Sequence, residues 1–128
     1  HPTLRRQRQM CIRDRMSSFH KKPWGGYEVL LDSETYKVKR IIVDPYQQFS
    51  LQYHNKRIEH WVIVEGGGKV IVNNNEHIAL PRSSWYIKEK SIHRATAASD
   101  GLVFIETQIG ECHEDDIVRI QDDYGRVT

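Results

Sequence analysis

Between Ser50 and Trp61 the chain reads SLQYHNKRIEHW, with a glutamine, two histidines and a glutamate set between apolar runs. On a strand, side chains alternate between faces. Ser50, Gln52 and His54 therefore share one face, and Phe49, Leu51 and Tyr53 share the other, which is expected to be core. After a short Asn55–Ile58 link the chain re-enters a strand at Glu59, which a hairpin would place beside Gln52 and His54. His93, opening a later strand, can add a fourth group. Imidazole, carboxylate and amide oxygen converging on one point suit a divalent ion such as Zn, Mn, Fe, Co or Ni. The competing reading is a polar strand edge facing solvent, and residue types alone leave both open. If Glu59 faces an ion, His60 faces away, as a packing residue or one behind the ligands. His20, His77 and His113 lie in loop-like surroundings and are expected to be exposed.

The elements that must hold these groups read as short strands. Tyr36–Val43 (YKVKRIIV) is rich in β-branched residues and ends at Asp44-Pro45, a turn signal. Phe49–His54 alternates apolar and polar residues. His60–Gly66 is an apolar run closed by three glycines, Gly66–Gly68, expected to form a turn. KVIVNNNEHIAL reads as a hairpin turning on Asn73–Asn75, since Asn tolerates left-handed positions. SSWYIK, HRATAA, LVFIETQI and DDIVRI complete the set, with no convincing helical period. Short strands at near-even spacing predict an all-β sandwich or barrel.

A chain of 128 residues, 38% hydrophobic and 28% charged, has the size and balance of one globular domain. No apolar run approaches the ~20 residues that span a bilayer, and no apolar segment of a secretory signal follows the basic start. Two cysteines, Cys11 and Cys112, make no disulfide framework, which favours a reducing, cytoplasmic location. HPTLRRQRQMCIRDR, residues 1–15, lacks apolar periodicity and precedes Met16, so it is expected to be a non-native or disordered tail before a single domain at 16–128. Setting aside its five Arg and one Asp leaves 14 basic and 16 acidic residues. The formal charge of +2 then carries no argument for a nucleic-acid partner.

These residues also carry a family resemblance. Gln52-x-His54-x4-Glu59-x6-Gly66, followed by His93, resembles the cupin pattern G-x5-H-x-H-x4-E-x6-G and its second, His-containing motif. Tyr46 stands where the pattern begins with Gly, and Gln52 stands for the first His. The second departure is shared with one branch: KPWGGYEVL, YKVKRIIVDPYQQFSLQYHNKRIEHWVIVEG and GECHEDDIVRIQDDYGR resemble the cupin domain of type II mannose-6-phosphate isomerases, whose ligand motif reads Gln-x-His. The likeness runs from Pro23 to Arg126. It implies a cupin, a double-stranded β-helix or jelly-roll barrel, with Gln52, His54, Glu59 and His93 holding a divalent metal, Zn first among the candidates. It also implies metal-dependent isomerisation of mannose 6-phosphate to fructose 6-phosphate through an enediol. Alternatives are another phosphosugar or nucleotide-sugar isomerase or epimerase of polysaccharide synthesis, or a non-catalytic sugar-binding cupin. The family is often fused behind a mannose-1-phosphate guanylyltransferase domain, for which these residues hold no replacement. GGGK lacks the spacing and hydroxyl of a phosphate-binding P-loop, so nucleotidyl transfer is not implied.

Isomerisation needs a base, a metal and a grip on phosphate. Glu106, a charge inside the apolar LVFIETQI strand, is the leading proton shuttle, and its competing role is to pair a buried cation. Glu59 can serve if its hold on the metal is loose. Read alone, Arg119 and Arg126 are a charged surface edge; the resemblance assigns them to phosphate, with Arg57, Lys39 and Lys56 as further cations. Trp24, Trp61 and Trp85 are expected in the core or an interface, though one could floor the sugar. Exposed sheet edges in so small a barrel favour a homodimer.

Overall fold

Apolar–polar alternation makes Tyr36–Val43 a strand, and the computed structural model, which describes residues 19–126, forms β3 over those same residues. The tail expected at 1–15 lies outside the described residues. The other strands are β1 (Phe19–Lys22), β2 (Gly25–Asp32), β4 (Leu51–Tyr53), β5 (Arg57–Val72), β6 (Asn75–Ala79), β7 (Ser84–Ile87), β8 (His93–Gly110) and β9 (Val118–Gln121). The described residues contain no helix, hence none long and apolar enough to cross a membrane. The all-β expectation holds. One antiparallel sheet runs β1-β2-β3-β8-β4-β9, with β5 on the opposite edge of β8 from β3 and carrying β6 and β7.

Two strands outrun the sequence pattern. β5 merges HWVIVEG with KVIV, and β8 merges HRATAA with LVFIETQI. The residues expected to turn, Gly66–Gly68, instead form a corner inside a continuing ladder. Gly66 has φ +76°, and a Cβ there would lie 2.1 Å from the Gly101 carbonyl oxygen; on Gly68 it would lie 1.9 Å from that of Thr96. Only glycine lets the two backbones meet this closely. The Asn hairpin forms as expected: Asn73 and Asn74 both take positive φ, and Val72 pairs with Asn75. β1 and β2 were not anticipated as strands. β2 opens on two glycines, and its register slips between Val29 and Leu31, which hides the alternation.

The buried faces of three neighbouring strands fix the interior. Lys37, Lys39, Ile41 and Val43 of β3 pair in register with Gln108, Glu106, Phe104 and Leu102 of β8, and Glu59, Trp61 and Ile63 of β5 pair with Gln108, Glu106 and Phe104 from the other side. All of them are buried. One end of the interior is thus apolar, with Phe49, Trp61 and Phe104 in ring contact, and the other carries charge. Trp24 and Trp61 are core as expected, and Trp85 packs half-buried against it.

Candidate active site

At the charged end, His54, Glu59 and His93 offer ligand atoms within 4.8 Å of one another. His54 Nε2 lies 3.2 Å from Glu59 Oε2, and His93 Nε2 lies 3.6 Å from Glu59 Oε1. Both rings have their tautomer set by a backbone carbonyl: Nδ1 of His54 donates to Asp116 O at 2.7 Å, and Nδ1 of His93 to Ser91 O at 2.8 Å. Each Nε2 is left as a lone pair facing the cluster. That of His93 is buried and has no hydrogen-bond partner among the described residues, a costly state unless a cation takes it. Burial, with Arg57 acting in the same direction, lowers the pKa of His54 to about 3 and that of His93 to about 4. Both are therefore neutral ligands at neutral pH. Two imidazoles and a carboxylate fit a divalent ion such as zinc.

Gln52 reaches this cluster by a different route from the one the sequence suggested. β4 hydrogen-bonds to β8 and β9 rather than to β5, so Gln52 sits opposite His93 and Arg119, not across a hairpin from Glu59. Its Nε2 is 3.4 Å from His54 Nε2, and its Oε1 accepts from Ser50 Oγ at 2.6 Å. The serine hydroxyl can donate or accept, so a half-turn of the amide presents oxygen to the cluster without losing the Ser50 contact. The polar face turns toward the cluster, while most of the apolar face expected in the core does not reach it. Ser50 and His54 are buried, while Leu51 and Tyr53 are half-exposed and outside the core; of the apolar set only Phe49 is inside.

Glu106 stands next to the cluster. The indole N–H of Trp61 donates to Glu59 Oε1 at 3.1 Å and to Glu106 Oε1 at 3.0 Å, bridging the two carboxylates. Gln108 Nε2 donates to Glu106 Oε2 at 2.8 Å. Burial and then the charge of Glu59 raise the Glu106 pKa to about 7. The nearby buried cation, Lys39, pairs with Glu114 and lies 4.0 Å over the Tyr27 ring.

A cavity of about 150 Å³ joins these groups to the surface, lined by Gln52, His54, Glu59, Glu106, Arg119 and Arg126 among others. Trp24 and Lys39 line it too. Arg119 has a buried Nε with no partner among the described residues, and burial and the neighbouring Arg126 lower its pKa. Arg126 is held by two bonds to the buried carboxylate of Asp122, at 2.7 and 3.0 Å. Arg57 also lines the cavity, but its guanidinium turns inward: Nε donates to Glu59 Oε2 at 3.0 Å, and one amino group donates to His113 O at 2.9 Å. Lys56 is not brought to the cavity. It is exposed and pairs with Glu111 at 3.5 Å. His60, His20, His77 and His113 are exposed, so His60 does not lie behind the ligands.

Sequence reasoning passed over Gln108, Asp116 and Asp122. For Gln108 a signal existed, since it follows Glu106 by two and must share its inward face. For Asp116, whose carboxylate also accepts the backbone N–H groups of Asn55 and Lys56, the tie spans 60 residues and leaves no local trace.

The family described as mannose-6-phosphate isomerase C-terminal matches residues 12–122. The mannose-1-phosphate guanylyltransferase ManC of Salmonella typhimurium is 39% identical over 83% of this chain and 22% of its own length. The alginate biosynthesis protein AlgA of Pseudomonas aeruginosa is 38% identical over 84% of this chain and 23% of its own. The chain therefore spans under a quarter of these relatives. Among solved structures, an RmlC-like cupin from Shewanella frigidimarina superposes with a TM-score of 0.67 at 17% identity, covering 76% of this chain and 86% of that one. The curled all-β sheet is a cupin fold.

Proposed function

The chain belongs to the mannose-6-phosphate isomerase C-terminal family, and from that premise we propose that it interconverts mannose 6-phosphate and fructose 6-phosphate. The observation that carries this reading is Glu106, a buried carboxylate with a pKa raised to about 7, bridged through Trp61 to a His–Glu–His cluster. His54, Glu59 and His93, with Gln52, would hold a divalent ion, and the fit rests on the unpartnered Nε2 of His93. When bound, that ion would supply a Lewis acid beside the substrate's carbonyl and hydroxyl oxygens.

The protein's own groups do the rest. Glu106, as carboxylate, takes the proton from C2 of the open-chain aldose. As acid it returns that proton to C1, while a hydroxyl proton moves from O2 to O1. A pKa near the operating pH keeps both forms accessible. Trp61 and Gln108 each donate to one Glu106 oxygen and so fix its plane. Arg57 offsets the charge of Glu59 from inside the fold. In the cavity lining, Arg119 with its unpartnered Nε and Arg126 on its Asp122 bracket would present cations to the 6-phosphate.

A coupled isomerase assay on chelated protein, with Zn, Mn, Co, Ni or Fe added back, tests the proposal. Metal-restored turnover that disappears in His54→Ala is expected. A folded protein that retains metal and turns over nothing would replace the isomerase with a sugar-binding role.

A further inference from the structure

Gln108 uses only one end of its amide. The residue is fully buried in the cavity wall; its Nε2 donates to Glu106 Oε2, and its Oε1 has no hydrogen-bond partner among the described residues. Buried amide oxygens are rarely left so, because an unmet acceptor loses its water without compensation. Turning the amide over does not relieve it while Glu106 is the carboxylate that takes the proton from C2. The oxygen would then face a carboxylate oxygen, replacing a donated hydrogen bond with two opposed acceptors. Contact with the Glu106 carboxylate therefore fixes which end of Gln108 is free, and that end needs a donor that no described residue provides.

Two other buried polar atoms lack partners among the described residues, His93 Nε2 and Arg119 Nε. The first faces the ligand cluster, and the second is a donor suited to an anion. Gln108 Oε1 is an acceptor, and the chemistry it selects is a hydroxyl. Its place beside Glu106 also selects which one. Glu106 serves C1 and C2, and C1 has no further carbon neighbour, so the adjoining hydroxyl is the one on C3.

We propose that Gln108 is a specificity residue that accepts a hydrogen bond from the C3 hydroxyl of the sugar phosphate while its N–H holds Glu106 toward C1 and C2. The inference rests on the isomerase reading above and names a contact that reading does not contain. Recognition of this kind discriminates strongly, because a ligand lacking the hydroxyl leaves the buried acceptor unmet.

The test is calorimetric titration of zinc-loaded protein with mannose 6-phosphate and its 3-deoxy and 4-deoxy analogues. The wild type, Gln108→Met and Gln108→Glu are compared. The wild type should bind the 3-deoxy analogue about tenfold more weakly than the parent, the equivalent of ~1.4 kcal/mol. Gln108→Met, of similar length but without the acceptor, should bind the two alike with zinc affinity unchanged. Gln108→Glu keeps an acceptor oxygen and should recover the 3-deoxy preference, yet turn over poorly because a third buried carboxyl beside Glu106 and Glu59 disturbs the proton balance of Glu106. The 4-deoxy penalty should be the same in all three. Undiminished 3-deoxy discrimination in Gln108→Met overturns the inference, as does a fall in its zinc affinity with sugar preference intact. If neither variant folds, the wild type alone decides: turnover without a 3-deoxy penalty refutes the C3 contact and leaves the isomerase standing. A wild type that binds no sugar phosphate removes the isomerase reading and this contact together.

Discussion

Acidifying the metal-free protein probes the buried cluster without any substrate. In the fold His54 and His93 stay neutral down to pH values of about 3 and 4, whereas in the unfolded chain each protonates near 6.5. Between pH 6.5 and 4.5 the unfolded state therefore holds two protons that the native state does not. Glu106 works in the opposite sense. Its pKa is about 7 in the fold and 4.5 when unfolded, so across the same window the native state holds one proton that the unfolded chain lacks. The balance is one proton in favour of unfolding, worth ~1.4 kcal/mol per pH unit. Stability should fall by roughly 3 kcal/mol from pH 6.5 to 4.5, a large part of the 5–15 kcal/mol typical of a domain. Asp116, Asp122 and Glu114 have lowered pKa values, and their contributions are lost only at the acid edge of this window and below it. Urea unfolding in chelator at half-unit pH steps reads the slope directly. His93→Gln should flatten the profile, because one neutral histidine and Glu106 then cancel. Glu106→Gln should about double the slope. A wild-type stability that is level, or that rises on acidification, would refute the placement of the two imidazoles in a dry, cation-flanked site.

Two substitutions test how the scaffold is held. Asp44-Pro45-Tyr46-Gln47 closes a turn through Gln47 N donating to Asp44 O, with Tyr46 at φ 62° and 74% exposed. Proline followed by a left-handed residue is a type II turn, where glycine fits without strain, so Tyr46→Gly should raise the urea midpoint by about 1 kcal/mol in stability. A loss of that size would mean the tyrosine ring packs where it is seen exposed. Trp61→Phe keeps most of the ring but removes the N–H shared by Glu59 and Glu106, and should cost about 3 kcal/mol in thermal unfolding. A change under ~0.5 kcal/mol would show that the bridge contributes little.

What could be read from the sequence followed from how local each cause is. β3 and the Asn73–Asn74 turn depend on residues adjacent in the chain, and both formed where expected. Gly66–Gly68 read as a strand end because glycine breaks patterns. Its actual work, letting β5 cross within reach of Gly101 and Thr96, is set by residues some thirty positions away. His54, Glu59 and His93 were recognisable by type, but the register that brings Gln52 opposite His93 was not. That Leu51 and Tyr53 lie outside the core has a more general cause. Apolar-inside reasoning assumes an interior of uniform character, and here each wall strand changes character along its length. The inward set runs Val43, Ile41, Lys39, Lys37 on β3; Leu102, Phe104, Glu106, Gln108 on β8; and Ile63, Trp61, Glu59, Arg57 on β5. The alternation of two is never broken, so one register serves both ends. The apolar halves pack, and that packing holds the charged halves in line, Trp61 opposite Glu106 and Glu59 opposite Gln108. A slip of one residue would expose the core and scatter the site in the same step. Folding and chemistry in this barrel thus share a single constraint, and a charge two residues beyond an inward aromatic is the local sign of it.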